Sequence, residues 1–99
     1  MDVTFADDQL DRLEADCDAK SRLDKSIVRA YRRMMRLIRD AVDERDIRNV
    51  VGPKNFYPLQ GERSHQHALR LNRQWRLIIE IHKAIPKNRI RIVEIEDYH

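Results

Sequence analysis

Residues 68–82 read Ala68-Leu69-Arg70-Leu71-Asn72-Arg73-Gln74-Trp75-Arg76-Leu77-Ile78-Ile79-Glu80-Ile81-His82, and they decide the fold. Leu69 and Leu71 alternate with Ala68 and Arg70. Then Trp75, Leu77, Ile79 and Ile81 fall on one side of an extended chain, with Arg76, Ile78 and Glu80 on the other. A period of two is the mark of a strand, because successive side chains point to opposite faces. Asn72-Arg73-Gln74 between the two runs has the composition of a hairpin loop. This stretch therefore predicts two antiparallel strands with one apolar face.

Working outward, residues 84–88 hold Pro86 and predict a second turn. Ile90 and Ile92 open a last strand, but Val93 and Ile95 continue in the opposite phase. That slip predicts a bulge or burial on both faces. Upstream, residues 57–59 are short and extended, and Gly61 breaks them. Gly52-Pro53 ends the helical half of the chain, because proline cannot continue a helix. Before it, Ile27, Tyr31, Met34, Met35, Ile38 and Val42 recur at helical spacing and predict a helix started by Ser21 or Asp24. Arg29, Arg32, Arg33, Arg36 and Arg39 fall on its opposite face, the ordinary wet face of an amphipathic helix or a polyanion surface. Asp43 starts a short third turn through Ile47. Leu10 and Leu13 give a thinner stripe to an earlier helix, capped by Asp7 or Asp8. Val3-Thr4-Phe5 predicts an edge strand. The expected fold is α+β, with two N-terminal helices on a three- to four-stranded antiparallel sheet.

The chain has 99 residues, which fits a single domain over 1–99. Only two glycines and three prolines are present, too few turn formers for an all-β protein. One cysteine, Cys17, excludes an internal disulfide and a zinc cluster built on thiolates. It is expected as a small residue beside the first helix. No apolar run reaches the ~18 residues of a membrane span, and Met1-Asp2 opens no signal peptide. A cytoplasmic location without membrane contact is the simplest expectation.

Net charge is +3, and its layout says more than its sum. Residues 7–18 carry Asp7, Asp8, Asp11, Glu14, Asp16 and Asp18 against Arg12 alone. Residues 52–92 carry nine lysines and arginines against Glu62 and Glu80. A basic second half points to a polyanion, since phosphate contacts from Lys and Arg carry much nucleic-acid affinity.

Cutting RNA through its own 2′-hydroxyl needs three things. A base must take that proton, a cation must meet the charge growing on phosphate, and an acid must protonate the leaving oxygen. Arginine suits the cation, because its planar fork stays charged and binds phosphate bidentately. Histidine suits proton transfer, because it titrates near neutrality. Arg70 and Arg76 lie on one face of the hairpin, and Arg63 just before it. The face away from the helices is expected to present Arg70, Arg76 and Glu80 together. Asp97-Tyr98-His99 follows the last strand with an acid, a phenol and an imidazole. His65 and His67 share a strand face but lack a third metal ligand. No glycine-rich phosphate loop or nucleophile elbow is present.

The stretch Phe56-Tyr57-Pro58-Leu59-Gln60-Gly61-Glu62-Arg63 resembles a HigB-type motif: aromatic or His, Pro, Leu, usually Lys, Gly, an acid and Arg. Leu69-Arg70-Leu71-Asn72, Trp75-Arg76-Leu77 and the ending Glu96-Asp97-Tyr98-His99 resemble the pieces that follow it in HigB toxins of the RelE/ParE superfamily. The resemblance implies a RelE-like fold and a ribosome-dependent, metal-independent mRNA endonuclease of a type II toxin–antitoxin system. It implies no cofactor. It implies a HigA-like helix-turn-helix antitoxin as partner, with operator DNA bound only through that complex. Asp97, Tyr98, His99 and Arg76 take the catalytic positions. Arg70, Arg63, Arg73 and Gln60 are the expected RNA- and phosphate-binding positions. Gln60 stands where the family commonly carries Lys, Tyr57 where some members carry His, and Ala68 where a polar or basic residue is usual. The alternatives are a ParE-like inhibitor that binds DNA gyrase, and a weakly active scaffold that chiefly binds antitoxin.

Overall fold

A computed structural model describes residues 1–16, 18–19 and 21–98. Cys17 and His99, both singled out above, lie outside the described residues.

The element order is β1 (Asp2–Phe5), α1 (Asp8–Ala15), α2 (Lys25–Asp40), α3 (Glu44–Val51), β2 (Phe56–Pro58), β3 (Gln66–Arg70), β4 (Trp75–His82) and β5 (Arg89–Asp97). A single 3-10 turn, Gly61–Arg63, lies between β2 and β3. The sheet has five strands in the order β1-β5-β4-β3-β2. It is mixed: β1 runs parallel to β5, and the other pairings are antiparallel. Two expectations are thereby corrected. A third full helix replaces the short third turn, and the sheet is neither three- to four-stranded nor wholly antiparallel. The parallel pairing joins the first strand to the last, so no turn residue announces it.

Local chemistry sets the ends. Asp7 caps α1 by accepting from the Gln9 N–H at 2.8 Å, and Asp43 caps α3 through the Arg45 N–H at 2.9 Å. Asp24 stands at the start of α2 without a side-chain cap bond, and Ser21 instead accepts from the Leu23 N–H. Gly52 ends α3 at φ 86°, where a side chain would be strained. Asn72 shapes the β3–β4 loop, its side-chain oxygen accepting from the Gln74 and Trp75 N–H groups at 2.8 Å each.

The helices lie on one sheet face. Leu10 and Leu13 of α1, Tyr31, Met35 and Ile38 of α2, and Ile47 of α3 bury against Phe56, Leu69, Leu77, Ile79, Ile90 and Ile92. Burying each such side chain contributes about 1.5–3 kcal/mol. The Tyr31 hydroxyl donates to the Leu10 carbonyl at 2.7 Å inside this core. Val42, expected on the apolar face of α2, lies past the helix end and is 71% exposed. The arginine face of α2 divides its work. Arg32 donates to the Leu13 and Asp16 carbonyls, and Arg39 forms a bidentate pair with Glu14. Both fasten α1 onto α2.

The phase slip in β5 is a bulge. Ile78 pairs with Glu94 and Ile79 with Ile92, so Val93 is the extra residue. The strand thereby keeps Ile90 and Ile92 on the core side before the bulge and Ile95 there after it.

Candidate functional site

The sheet face away from the helices does not stand open. Ala68 and Ile78 belong to it and are 1% and 0% exposed, yet neither joins the helix-side core. The chain between β2 and β3 crosses this face, with Gly61 at φ 65° opening the 3-10 turn. Arg63 extends from that turn toward β5. Its Nη1 meets Glu96 at 2.9 Å and its Nη2 meets Glu94 at 3.7 Å. Arg63 Nε also donates to the Gln66 side-chain oxygen at 3.1 Å.

Beside this crossing lies a cavity of about 250 Å³, lined by Tyr57, Arg63, Arg76, Glu96, Asp97 and Tyr98 together with Leu59 and Ala68. Register explains the gathering. Tyr57 pairs with Ala68, Ala68 with Ile78, and Arg76 with Glu96, so these side chains line one face across four strands.

Arg76 is the centre of the group and is 8% exposed. Its Nη1 donates to the Asn72 carbonyl at 2.7 Å, with the Trp75 and Arg73 carbonyls at 3.2 and 3.4 Å. Its Nε donates to the Tyr57 hydroxyl at 3.3 Å. The Tyr98 ring lies over the guanidinium, 4.4 Å from carbon to centroid. All these partners are uncharged, and together they fix the plane of the guanidinium. Its remaining nitrogen, Nη2, has no hydrogen-bond acceptor among the described residues.

The expected residues divide. Arg63, Arg76, Asp97 and Tyr98 come together at the cavity. Asp97 accepts from the Gln74 side-chain amide at 3.2 Å, and the Tyr98 N–H donates to the Gln74 carbonyl. Arg70, Arg73 and Gln60 do not line it. Arg70 is exposed, with Nε on the Asn72 carbonyl. Arg73 is exposed in the hairpin loop, and Gln60 is exposed before the 3-10 turn. The joint display of Arg70, Arg76 and Glu80 is also corrected, because Arg76 is buried and Glu80 is engaged elsewhere. The Glu80 carboxylate meets His82 at 3.1 Å, Gln66 at 3.4 Å and Arg91 at 3.5 Å. Burial works to raise the Glu80 carboxyl, but the His82 and Gln66 hydrogen bonds and the Arg91 charge outweigh it and hold it below its usual range.

Tyr57 and Glu96 were not among the expected site residues. Tyr57 was legible only as a departure from a motif, since its place beside Arg76 depends on the β2–β3 register. Glu96 was legible as the direct cross-strand partner of Arg76, had the bulge been placed. His65 and His67 do not form a pair. His65 sits 3.8 Å from Glu80, whereas His67 stacks on Phe56 at 5.2 Å with its Nδ1 buried and unpaired. Burial, aided by the nearby Arg48 charge, pushes the His67 imidazole below its usual value. Among the described residues, no group of three or more His, Cys, Asp or Glu is placed to hold a metal ion.

The fold has a counterpart among solved structures. A YoeB/ParE toxin from Agrobacterium tumefaciens matches over 100% of both chains at 14% identity, with a TM-score of 0.64. That likeness defines the fold as α+β, of the kind this solved structure has. A family model described as the RelE-like toxin of type II toxin-antitoxin system HigB matches residues 3–99, and the chain belongs to that family. An antitoxin partner follows from that membership. No curated protein matches the chain. No described helix is long and apolar enough to cross a membrane.

Proposed function

We propose that this toxin is a metal-independent endoribonuclease that cuts mRNA on the ribosome and so stops translation. The observation that carries the reading is Arg76: a buried guanidinium, oriented by neutral partners, at a cavity shared with Tyr57, Asp97 and Tyr98. In the proposed step the 2′-oxygen attacks the phosphorus as its proton passes to a base. The bond from phosphorus to the 5′-oxygen breaks, and an acid protonates that leaving oxygen. The products are a 2′,3′-cyclic phosphate and a 5′-hydroxyl. Arg76 meets the charge that grows on the phosphate oxygens, the term that usually dominates such catalysis. The two proton-transfer roles fall to the 97–99 tail, Asp97, Tyr98 and His99. Arg70, Arg73 and Gln60, exposed outside the cavity, touch the flanking RNA backbone.

The HigB-like family supports the ribosome as the place of action. There mRNA held in the decoding site is already extended and positioned for a site as small as this one. The site of action is then the cytoplasm.

Primer extension on mRNA translated by purified ribosomes tests this. New 5′ ends are expected with wild type and their loss with Arg76→Ala and with His99→Ala. Intact mRNA with wild type would overturn the reading and direct attention to gyrase supercoiling.

A further inference from the structure

Strand β5 is paired with β4 along its length, but with β1 only as far as Ile92. There the Ala6 N–H donates to the Ile92 carbonyl at 2.8 Å, and the chain turns away into α1. Beyond that point no described strand runs along this side of residues 93–96. Their backbone forms a sheet edge, and such an edge presents N–H and C=O groups in register for another extended chain.

The edge borders a groove of about 1100 Å³, where Leu10, Leu13 and Leu23 stand opposite Val93 and Ile95. Asp7, Asp16 and Glu94 also line it, against Arg12 and Arg22. The exposed acids Asp8 and Asp11 of α1 extend this charge. The proposed RNA chemistry uses none of these groups.

We propose that an extended, basic segment of the antitoxin adds to the sheet along residues 93–96 and lays alternate apolar side chains into this groove. The mode is strand addition, in which backbone bonds give affinity and alternate pockets give specificity. Charge decides the occupant. RNA is repelled by the acids of α1. A second copy of this chain would bring a second set of the exposed acids Asp8 and Asp11 to the same groove, and like charges brought together repel. A basic polypeptide meets neither obstacle. The added strand would run on toward Glu96, Asp97 and Tyr98, and so would cover the candidate site from its side. The proposal rests on the antitoxin that family membership implies and is independent of the nuclease reading.

The test is amide hydrogen exchange on this chain alone and mixed with the polypeptide encoded beside its gene. Residues 93–96 are expected to exchange at least about tenfold more slowly in the mixture. Val93→Lys, an inward charge that blocks an edge, is expected to weaken binding about tenfold or more. Its fold is checked by thermal melting. Asp8→Lys/Asp11→Lys changes only exposed positions and is expected to weaken binding severalfold and flatten its dependence on salt. Four results would overturn the proposal: no complex with wild type, protection confined to other segments, wild-type affinity in both variants, or protection of 93–96 by self-association alone. mRNA cleavage by the chain without the polypeptide, run alongside, reports on the nuclease reading separately.

Discussion

Two arginines reach the same cavity under opposite electrostatic conditions. Arg76 is surrounded by carbonyls, a hydroxyl and an aromatic ring, none of which carries charge. Arg63 is held between Glu94 and Glu96. Among the described residues, the first is oriented by uncharged hydrogen-bond partners, with Glu96 its cross-strand neighbour and Asp97 on the same cavity. The second is neutralised by its own scaffold and acts mainly to tie the crossing segment to β5. A basic residue count near the site therefore overstates the charge that an anion would meet.

Breaking the first arginine should have the largest effect. Arg76→Ala is expected to slow single-turnover cleavage about 10²–10³-fold, the usual cost of a lost transition-state charge partner. Arg76→Lys keeps the charge but cannot reproduce the fork, and recovery of less than about a tenth of wild-type activity is expected. Full activity in the Lys variant would show that only charge matters there.

Tyr98 sharpens the comparison, because its ring and its hydroxyl do different things. Tyr98→Phe preserves the stack on Arg76. If the hydroxyl moves a proton, cleavage falls about 10²-fold, within the ordinary range for acid–base groups. Cleavage equal to wild type would reduce Tyr98 to a positioning role.

The second arginine should give smaller effects of opposite sign. Arg63→Ala is expected to lower cleavage by only about threefold and stability by less than about 1 kcal/mol, as for other partly exposed ion pairs. Glu96→Gln releases part of the Arg63 charge and is expected to tighten RNA binding severalfold, read as a lower KM. A weaker KM would mean that Glu96 itself handles substrate.

The smallest effect lies away from the site. The Lys83 ammonium 2.6 Å from Glu44, together with the backbone at the start of α3, holds the Glu44 carboxyl down at about 2. A carboxyl lowered in the folded state adds stability above its ordinary value of 4.5, and that stability is lost as pH falls toward about 2. Thermal melting between pH 5 and pH 3 should therefore drop more steeply for wild type than for Lys83→Ala.

Much of this arrangement was legible because it is local. The β3–β4 hairpin, its Asn72 loop, the Asp7 and Asp43 caps and the end of α3 at Gly52 all follow from a few neighbouring residues. The parallel β1–β5 pairing joins residues about ninety positions apart, and periodicity says nothing about such partners. The segment across the second sheet face was illegible for another reason. Its apolar counterparts on the sheet include Ala68 and Ile78, which look like a small exposed pair on a largely polar strand side. At the site, Arg76 and the tail could be read from the motif, whereas Tyr57 depended on register and the neutralisation of Arg63 on the placement of two glutamates.

The extra residue at Val93 also bears on heredity. Before it, β5 points Ile90 and Ile92 toward the helices; after it, the same strand points Ile95 there and Glu96 toward Arg63. Removing the Val93 codon takes out the unpaired residue and joins Ile92 directly to Glu94, and these two already stand opposite neighbouring residues, Ile79 and Ile78. Glu94, Ile95 and Glu96 then keep their faces. Adding a codon to the regular stretch that follows would instead turn the residues beyond it over to the opposite side of the sheet. The last stretch of the gene should therefore tolerate the loss of one codon at the bulge better than the gain of one beyond it.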